Sequence, residues 1–244
     1  MKTSGNTVLI TGGATGIGLS LAEQFIRLGN KVIICGRREA SLRETSKKLA
    51  GIHMLSCDLS LSDERKKLAE WTLKNFPETN ILVNNAGIQN YISLKDHLNI
   101  DLVRQECEIN FIAPVHLSNL FLGQLIKQED PAIINITSGL AFAPIALMPV
   151  YCATKAALHS FSLALRHQLS VTGVKVFEIV PPTVDTELDR GERARRGVRD
   201  RGIKPEEFAV QALEAIRNDV YEAAIGSAAN LRLKREELFN MMNH

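Results

Sequence analysis

Tyr151 and Lys155 stand four residues apart in the stretch YCATKAALHSF, residues 151–161. On an α-helix that spacing puts a phenol and an ammonium on one face, one turn apart. Their neighbours Ala153, Ala156, Ala157, Leu158 and Phe161 are small or apolar. A free phenol titrates near 10 and is poorly matched to proton transfer at neutral pH, but a cation within about 4–6 Å can lower its pKa by about 1–3. The pair therefore reads as a candidate acid/base in which Lys155 tunes Tyr151. A tyrosine and a lysine along an exposed helix would show the same spacing, so the motif needs company.

Two further residues provide it. Ser138 closes the apolar run IINITS, thirteen residues before Tyr151. A hydroxyl there can hold a substrate oxygen against the phenol, or it can simply cap a turn. Asn110 lies four residues before Pro114 in an otherwise helical pattern. Proline has no N–H, so the Asn110 carbonyl loses its usual donor, the helix is predicted to kink, and that carbonyl is open to a water.

A different chemistry is written near the N-terminus. VLITGGATGIG, residues 8–18, places glycines directly after an apolar run and at the opening of a helical pattern. Such a turn lets backbone approach a pyrophosphate, whose charge the helix N-terminus favours. The spacing Gly12-x-x-x-Gly16-x-Gly18 departs from the strict G-x-G-x-x-G fingerprint, and the loop G-x-x-x-x-G-K-[ST] of nucleotide hydrolases is absent. At the end of the second apolar run, VIICGRRE, stand Arg37, nineteen positions beyond Gly18, and Arg38. A carboxylate there would meet a ribose 2′-hydroxyl; guanidinium groups suit a 2′-phosphate instead.

These groups need a scaffold, and the pattern predicts one. Of the short runs at 8–10, 32–35, 53–57, 81–84, 133–137, 176–180 and 223–226, most are continuously hydrophobic, as strands covered on both faces of a parallel sheet must be. Helical patterns alternate with them. Ile17, Leu21, Phe25 and Leu28 fall on one face, 62–76 opens with a cap-like Ser-Asp-Glu, longer helices are predicted over 100–128 and 150–171, and Pro205 suits a first turn. The alternation predicts an α/β fold, a doubly wound parallel sheet of about seven strands with helices on both faces, in a single domain over 1–244. The formal net charge of +2 gives nucleic acid no purchase as a partner. Residues 131–154 are uncharged, but Asn135, Gly139, Pro144 and Pro149 break the run, so no membrane span is predicted. The four cysteines show no metal-ligand spacing, which suits reduced thiols in the cytoplasm and no metal. His159 and His167 have no plausible partner triad and read as packing or solvent-facing residues.

The segments Thr11-Gly12-Gly13-Ala14-Thr15-Gly16-Ile17-Gly18, Asn84-Asn85-Ala86-Gly87, Ser138 and Tyr151-Cys152-Ala153-Thr154-Lys155, in that order over nearly the whole chain, resemble the motifs of the short-chain dehydrogenase/reductase family. The tract IVPPTVDTEL further resembles a bacterial subgroup encoded beside the genes for lipoteichoic-acid D-alanylation. The resemblance implies a Rossmann-type sheet, a nicotinamide cofactor, and hydride transfer to or from a small carbonyl or alcohol. It implies a catalytic set of Asn110, Ser138, Tyr151 and Lys155, with the Asn110 carbonyl relaying a proton towards Lys155. Cofactor contacts would come from Gly12, Thr15, Gly16, Ile17, Gly18, Arg37 and Arg38, from Asp58 and Leu59 at the adenine, and from Asn85, Ala86 and Gly87 at the ribose. Tyr151, Lys155, Pro181, Val184 and Thr186 would serve the nicotinamide end. Asp58 could equally make an Asx turn. With Arg37 and Arg38, NADP(H) is the expected cofactor, NAD(H) remaining possible. Pro181-Pro182 departs from the family's Pro-Gly and removes an N–H beside the carboxamide. Relatives pair through helices equivalent to 100–128 and 150–171, which implies a homodimer or homotetramer. The charged, aperiodic tract ELDRGERARRGVRDRGIK, 187–204, is expected to be a substrate lid, the alternative being a plain solvated loop. Phe142, Ile145, Leu147 and Met148 would form an apolar wall, while Arg190, Arg193, Arg195 and Arg196 would attract an anion. A catalytically idle nucleotide-binding sensor or scaffold on the same fold is the alternative.

Overall fold

Successive side chains of a strand face opposite sides of its sheet, and here both sides are apolar. A computed structural model describes residues 1–95, 97–188, 190–195, 197 and 202–243. Its strands are β1 (Thr7–Thr11), β2 (Lys31–Gly36), β3 (His53–Ser56), β4 (Ile81–Asn84), β5 (Ala132–Ile136), β6 (Lys175–Val180) and β7 (Glu222–Ala224). They form one sheet in the order β3-β2-β1-β4-β5-β6-β7, every pair parallel. The helices are α1 (Gly16–Arg27), α2 (Glu39–Lys48), α3 (Ser62–Asn75), α4 (Ile100–Cys107), α5 (Ala113–Leu125), α6 (Pro149–Gln168), α7 (Arg190–Arg195), α8 (Pro205–Arg217), α9 (Ala228–Lys234) and α10 (Phe239–Met242).

Val8, Ile10, Val32, Ile34, Val83 and Ile134 pack against Phe25 of α1, Leu42 of α2 and Phe208 and Leu213 of α8. The intervening Leu9, Ile33, Leu82, Ile133 and Val176 pack against Leu68 of α3, Phe121 of α5 and Leu165 of α6. That double covering is why the central strands β1, β4 and β5 are buried along their whole length, while the edge strand β3 is not. The fold class read from the sequence is the one observed. No described helix is long and apolar enough to cross a membrane.

Two local expectations are corrected. The helix expected over 100–128 is three pieces: between α4 and α5 the residues Glu108–Ile112 form a π turn, in which the Ala113 N–H reaches the Glu108 carbonyl, five residues back. Pro114 falls in the first turn of α5, where its missing N–H breaks no bond of that helix. Likewise Ser62 is the first helical residue of α3; Leu61 occupies the cap position and makes no side-chain cap bond. The acidic Asp63 and Glu64 still suit the positive end of the helix dipole.

Candidate active site

In an open parallel sheet the strand ends gather loops at the point where the order reverses, between β1 and β4 here. A cleft of about 440 Å³ lies there, floored by Gly12, Thr15, Gly16, Ile17 and Gly18 after β1. Gly12 has φ +65°, and a Cβ on it would come within 3.0 Å of the Ala86 Cα. A Cβ on Gly18 would lie 2.3 Å from the Gly12 carbonyl oxygen, so the turn tolerates no side chain at either position. At the glycines the floor is bare backbone at the N-terminus of a twelve-residue helix, which is the cradle an anion needs.

The rest of the cleft collects residues from each strand end in turn. Arg37 and Arg38 follow β2, Asp58 and Leu59 follow β3, Asn85, Ala86 and Gly87 follow β4, Tyr151 and Lys155 come from α6, and Pro181 and Thr186 follow β6. Asp58 Oδ1 accepts the Ser60 N–H at 2.9 Å and the Ser60 hydroxyl at 2.7 Å, so the Asx turn is formed at the cleft wall. The Asn85 side chain is used within the scaffold, donating to the Thr11 carbonyl at 2.8 Å, while Thr11 Oγ1 accepts the Asn85 and Ala86 N–H groups. Val184 makes a parallel bridge to Ile203 and joins the buried core, and it does not line the cleft. Of the 187–204 tract, residues 189, 196 and 198–201 lie outside the described residues, Arg196 among them.

The four residues singled out for acid/base chemistry converge from three elements. Tyr151 is 6% and Lys155 4% exposed, and the ammonium sits 5.8 Å from the centre of the phenol ring. Lys155 Nζ donates to the Ile136 carbonyl, the last of β5, at 2.9 Å. Asn110 is fully buried in the π turn: its Oδ1 accepts the Ile88 N–H at 2.9 Å, and its Nδ2 donates to the Ile88 carbonyl and to Thr154 Oγ1. Thr154 in turn donates to the Tyr151 carbonyl at 2.8 Å. Gly87 lies between two of them, since a Cβ there would come 3.3 Å from Asn110 Oδ1 and 3.6 Å from Lys155 Nζ. Ser138, just past β5, accepts the Leu140 N–H at 3.1 Å and so caps a short 3-10 turn. Asn110 and Ser138 are not among the residues lining this cleft, but Asn110 touches Gly87 and Ser138 directly follows Thr137, both of which do.

Burial sets the electrostatics. It pushes the Lys155 ammonium down to about 8 from the usual 10.5, with the charge of Glu106 opposing the shift. Glu106 is itself buried, accepts both the N–H and Nδ2 of Asn90, and has its pKa raised by desolvation. Burial also raises the thiols of Cys35, Cys107 and Cys152, and that of Cys57 to about 12, so none of the four is a ready nucleophile. Sequence reasoning missed Glu106, Thr137, Thr154 and Glu187; Glu106 stands between Asp101 and Glu108 in a stretch with several polar residues, so nothing local set it apart.

The profile of the short chain dehydrogenase family matches residues 6–197. The chain is 50% identical over 250 residues to DltE of Bacillus subtilis (strain 168), an uncharacterised oxidoreductase, covering 100% of this chain and 98% of that one. It is 30% identical to human short-chain dehydrogenase/reductase 3 over 220 residues, 88% of this chain and 72% of the relative. Among solved structures, a short-chain dehydrogenase/reductase from Burkholderia phymatum in complex with NAD superposes with a TM-score of 0.88 at 23% identity, over 100% of this chain and 97% of that one. A short-chain dehydrogenase from Burkholderia cenocepacia in complex with NADP gives 0.83 at 23% identity, over 96% and 94%. These two superpositions establish the fold.

Proposed function

This chain belongs to the short-chain dehydrogenase family, and we propose that it is an NADP(H)-preferring oxidoreductase interconverting a carbonyl and an alcohol, with Tyr151 as its acid/base. The observation that carries this reading is the buried Tyr151–Lys155 pair at the wall of a cleft whose floor is unobstructed backbone. The cleft fits a dinucleotide: the glycine turn would take the pyrophosphate, Arg37 and Arg38 the adenosine end, and Pro181 and Thr186 the nicotinamide end. When bound, the nicotinamide supplies or takes up the hydride.

The protein's own part is positioning and proton transfer. Ser138 Oγ holds the substrate oxygen, and Tyr151 Oη gives that oxygen a proton in reduction or takes it in oxidation. Lys155, anchored on the Ile136 carbonyl, favours the phenolate left behind. Asn110, braced by Ile88 and Thr154, offers a backbone carbonyl through which water restores the proton by way of Lys155. We take 1–244 as one catalytic domain in which 187–204 closes over the substrate. A panel of carbonyl compounds, followed by the absorbance of the reduced nicotinamide, tests the reading. Turnover of any of them excludes the idle-module alternative, and cofactor binding with no turnover across the panel favours it.

The depressed Lys155 pKa carries a sign. The ammonium is charged below about pH 8 and loses its charge above it, so its help to Tyr151 is present at neutral pH and disappears as pH rises. The value of kcat/KM for reduction is therefore expected to hold to about pH 7.5 and then fall, with the fall displaced upward in Lys155→Arg, whose guanidinium stays charged. Identical alkaline limbs in the two proteins would remove Lys155 from this role. The same shift makes the lysine a stability burden below about pH 8. That burden lifts as pH rises from there towards 10.5, because the unfolded chain then holds the extra proton.

Assembly is part of the proposal. Ile100 and Leu102 of α4, Ile112 of the π turn and Leu163 of α6 are all exposed apolar residues on the helices expected to pair. Light scattering at micromolar concentration is expected to give the mass of a dimer or tetramer, and a monomer mass would overturn this.

A further inference from the structure

Strand β6 reads KVFEIV, and its glutamate is the anomaly: Glu178 is fully buried in a run otherwise apolar after its first residue. It lies on the sheet face covered by α6, the same face as Val176. A carboxylate can only accept hydrogen bonds, so burial requires donors. Thr137 Oγ1 donates to Glu178 Oε1 at 2.8 Å, and His159 Nδ1 meets Oε2 at 2.8 Å, which assigns the Nδ1–H tautomer or the imidazolium. Both donors are next to the proposed chemistry. Thr137 precedes Ser138 and lines the cleft; His159 follows Lys155 by one turn, on the stripe Tyr151–Lys155–His159 of α6.

We propose that Glu178 and His159 are a positioning pair that fixes α6, and with it Tyr151 and Lys155, against the end of β5 that carries Ser138. It rests on the reading of Tyr151 as acid/base given above. Three polar contacts tie α6 to the end of β5 and the residue after it: Ser162 accepts from Asn135 at 2.9 Å, Lys155 donates to Ile136, and His159 reaches Thr137 through Glu178. The His159–Glu178–Thr137 contact is the one that links α6, β6 and the residue following β5 at once. The imidazole is also held from the side by Phe142, at 4.7 Å between ring centres and 63° between planes. Glu222 of β7 lies within 4.8 Å of the same donor atoms, but it is bonded to Arg232 of α9, and Thr137 occupies one oxygen of Glu178. The cluster is thus a closed polar network rather than an open ligand set.

His159→Leu removes the donor at similar volume, whereas His159→Asn keeps an N–H near the position of Nδ1. His159→Leu is expected to lower kcat about 10- to 100-fold, the scale of a small misplacement of reacting groups, with the NADPH dissociation constant changed less than about twofold. His159→Asn is expected to recover most of that rate. Thr137→Val, which strips the second donor and is safe if the leucine variant does not fold, is expected to lower kcat in the same direction. Hydrogen exchange gives a readout independent of turnover: amides 151–158 should exchange faster in His159→Leu and as wild type in His159→Asn. An unchanged kcat in His159→Leu, no advantage of asparagine over leucine, or unchanged exchange in 151–158 would each overturn the proposal. So would a Zn²⁺-dependent rise in melting temperature that His159→Asn abolishes, since the cluster would then be a metal site. If Tyr151→Phe keeps full activity while the exchange pattern holds, the acid/base reading fails and the positioning pair stands.

Discussion

Tyr151→Phe is expected to lose at least about 10²-fold of turnover while binding NADPH almost as the parent does, the usual scale for a missing general acid or base. Only the phenolic oxygen goes. Tyr151 is 6% exposed and lies on the stripe that also carries Lys155, so its apolar part stays in place. Lys155 is tied to the Ile136 carbonyl and Asn110 to Ile88, neither through that oxygen, so neighbouring geometry is held independently. A burial-only role for Tyr151 would instead lower stability and leave kcat nearly unchanged. Steady-state kinetics beside cofactor titration separates the two, and near-parental turnover in the phenylalanine variant would end the assignment.

How far the residues announced this arrangement depends on the distance over which each signal acts. The seven strands were legible because both faces of a parallel sheet demand apolar residues, a rule written locally in each run. The glycine turn was legible for a similar reason: at Gly12 and Gly18 the backbone itself forbids a Cβ. Tyr151 and Lys155 were legible because helical spacing alone puts them on one face. The π turn was not. Pro114 marks where the α ladder changes, but the missing N–H alone does not specify a five-residue turn over Glu108–Ile112. His159 was read as a packing or solvent-facing residue because its partner is nineteen residues away on another element. The lone glutamate in β6 was the visible half of that pair, and only the packing of α6 over β6 brings the two together.

Replacing both Arg37 and Arg38 with alanine is expected to weaken NADPH roughly 10- to 100-fold while leaving NADH nearly unchanged. Both arginines line the cleft beyond β2, where a 2′-substituent of the adenosine ribose would lie. The nearby acid, Glu39, has already turned into α2, where its Oε1 accepts from Arg43 Nη2 at 2.6 Å, so it does not take the place of a ribose-binding carboxylate. Arg38 is not idle without ligand: its Nη2 donates to Thr15 Oγ1 at 3.2 Å, and its Nη1 lies 3.5 Å from Glu187. That ion pair is exposed on both sides, 60% and 64%, which places it among surface pairs contributing about 0–1 kcal/mol. A charge-assisted bond to a phosphate contributes about 1.5–3 kcal/mol, so exchanging Glu187 for a phosphate still favours the phosphorylated cofactor. At about 1.4 kcal/mol for each factor of ten, one or two such bonds give the 10- to 100-fold preference. Fluorescence titration of both reduced cofactors against parent and double variant measures it. Equal affinities in the parent, or parallel weakening of both cofactors in the variant, would leave the arginines as surface residues with no part in discrimination.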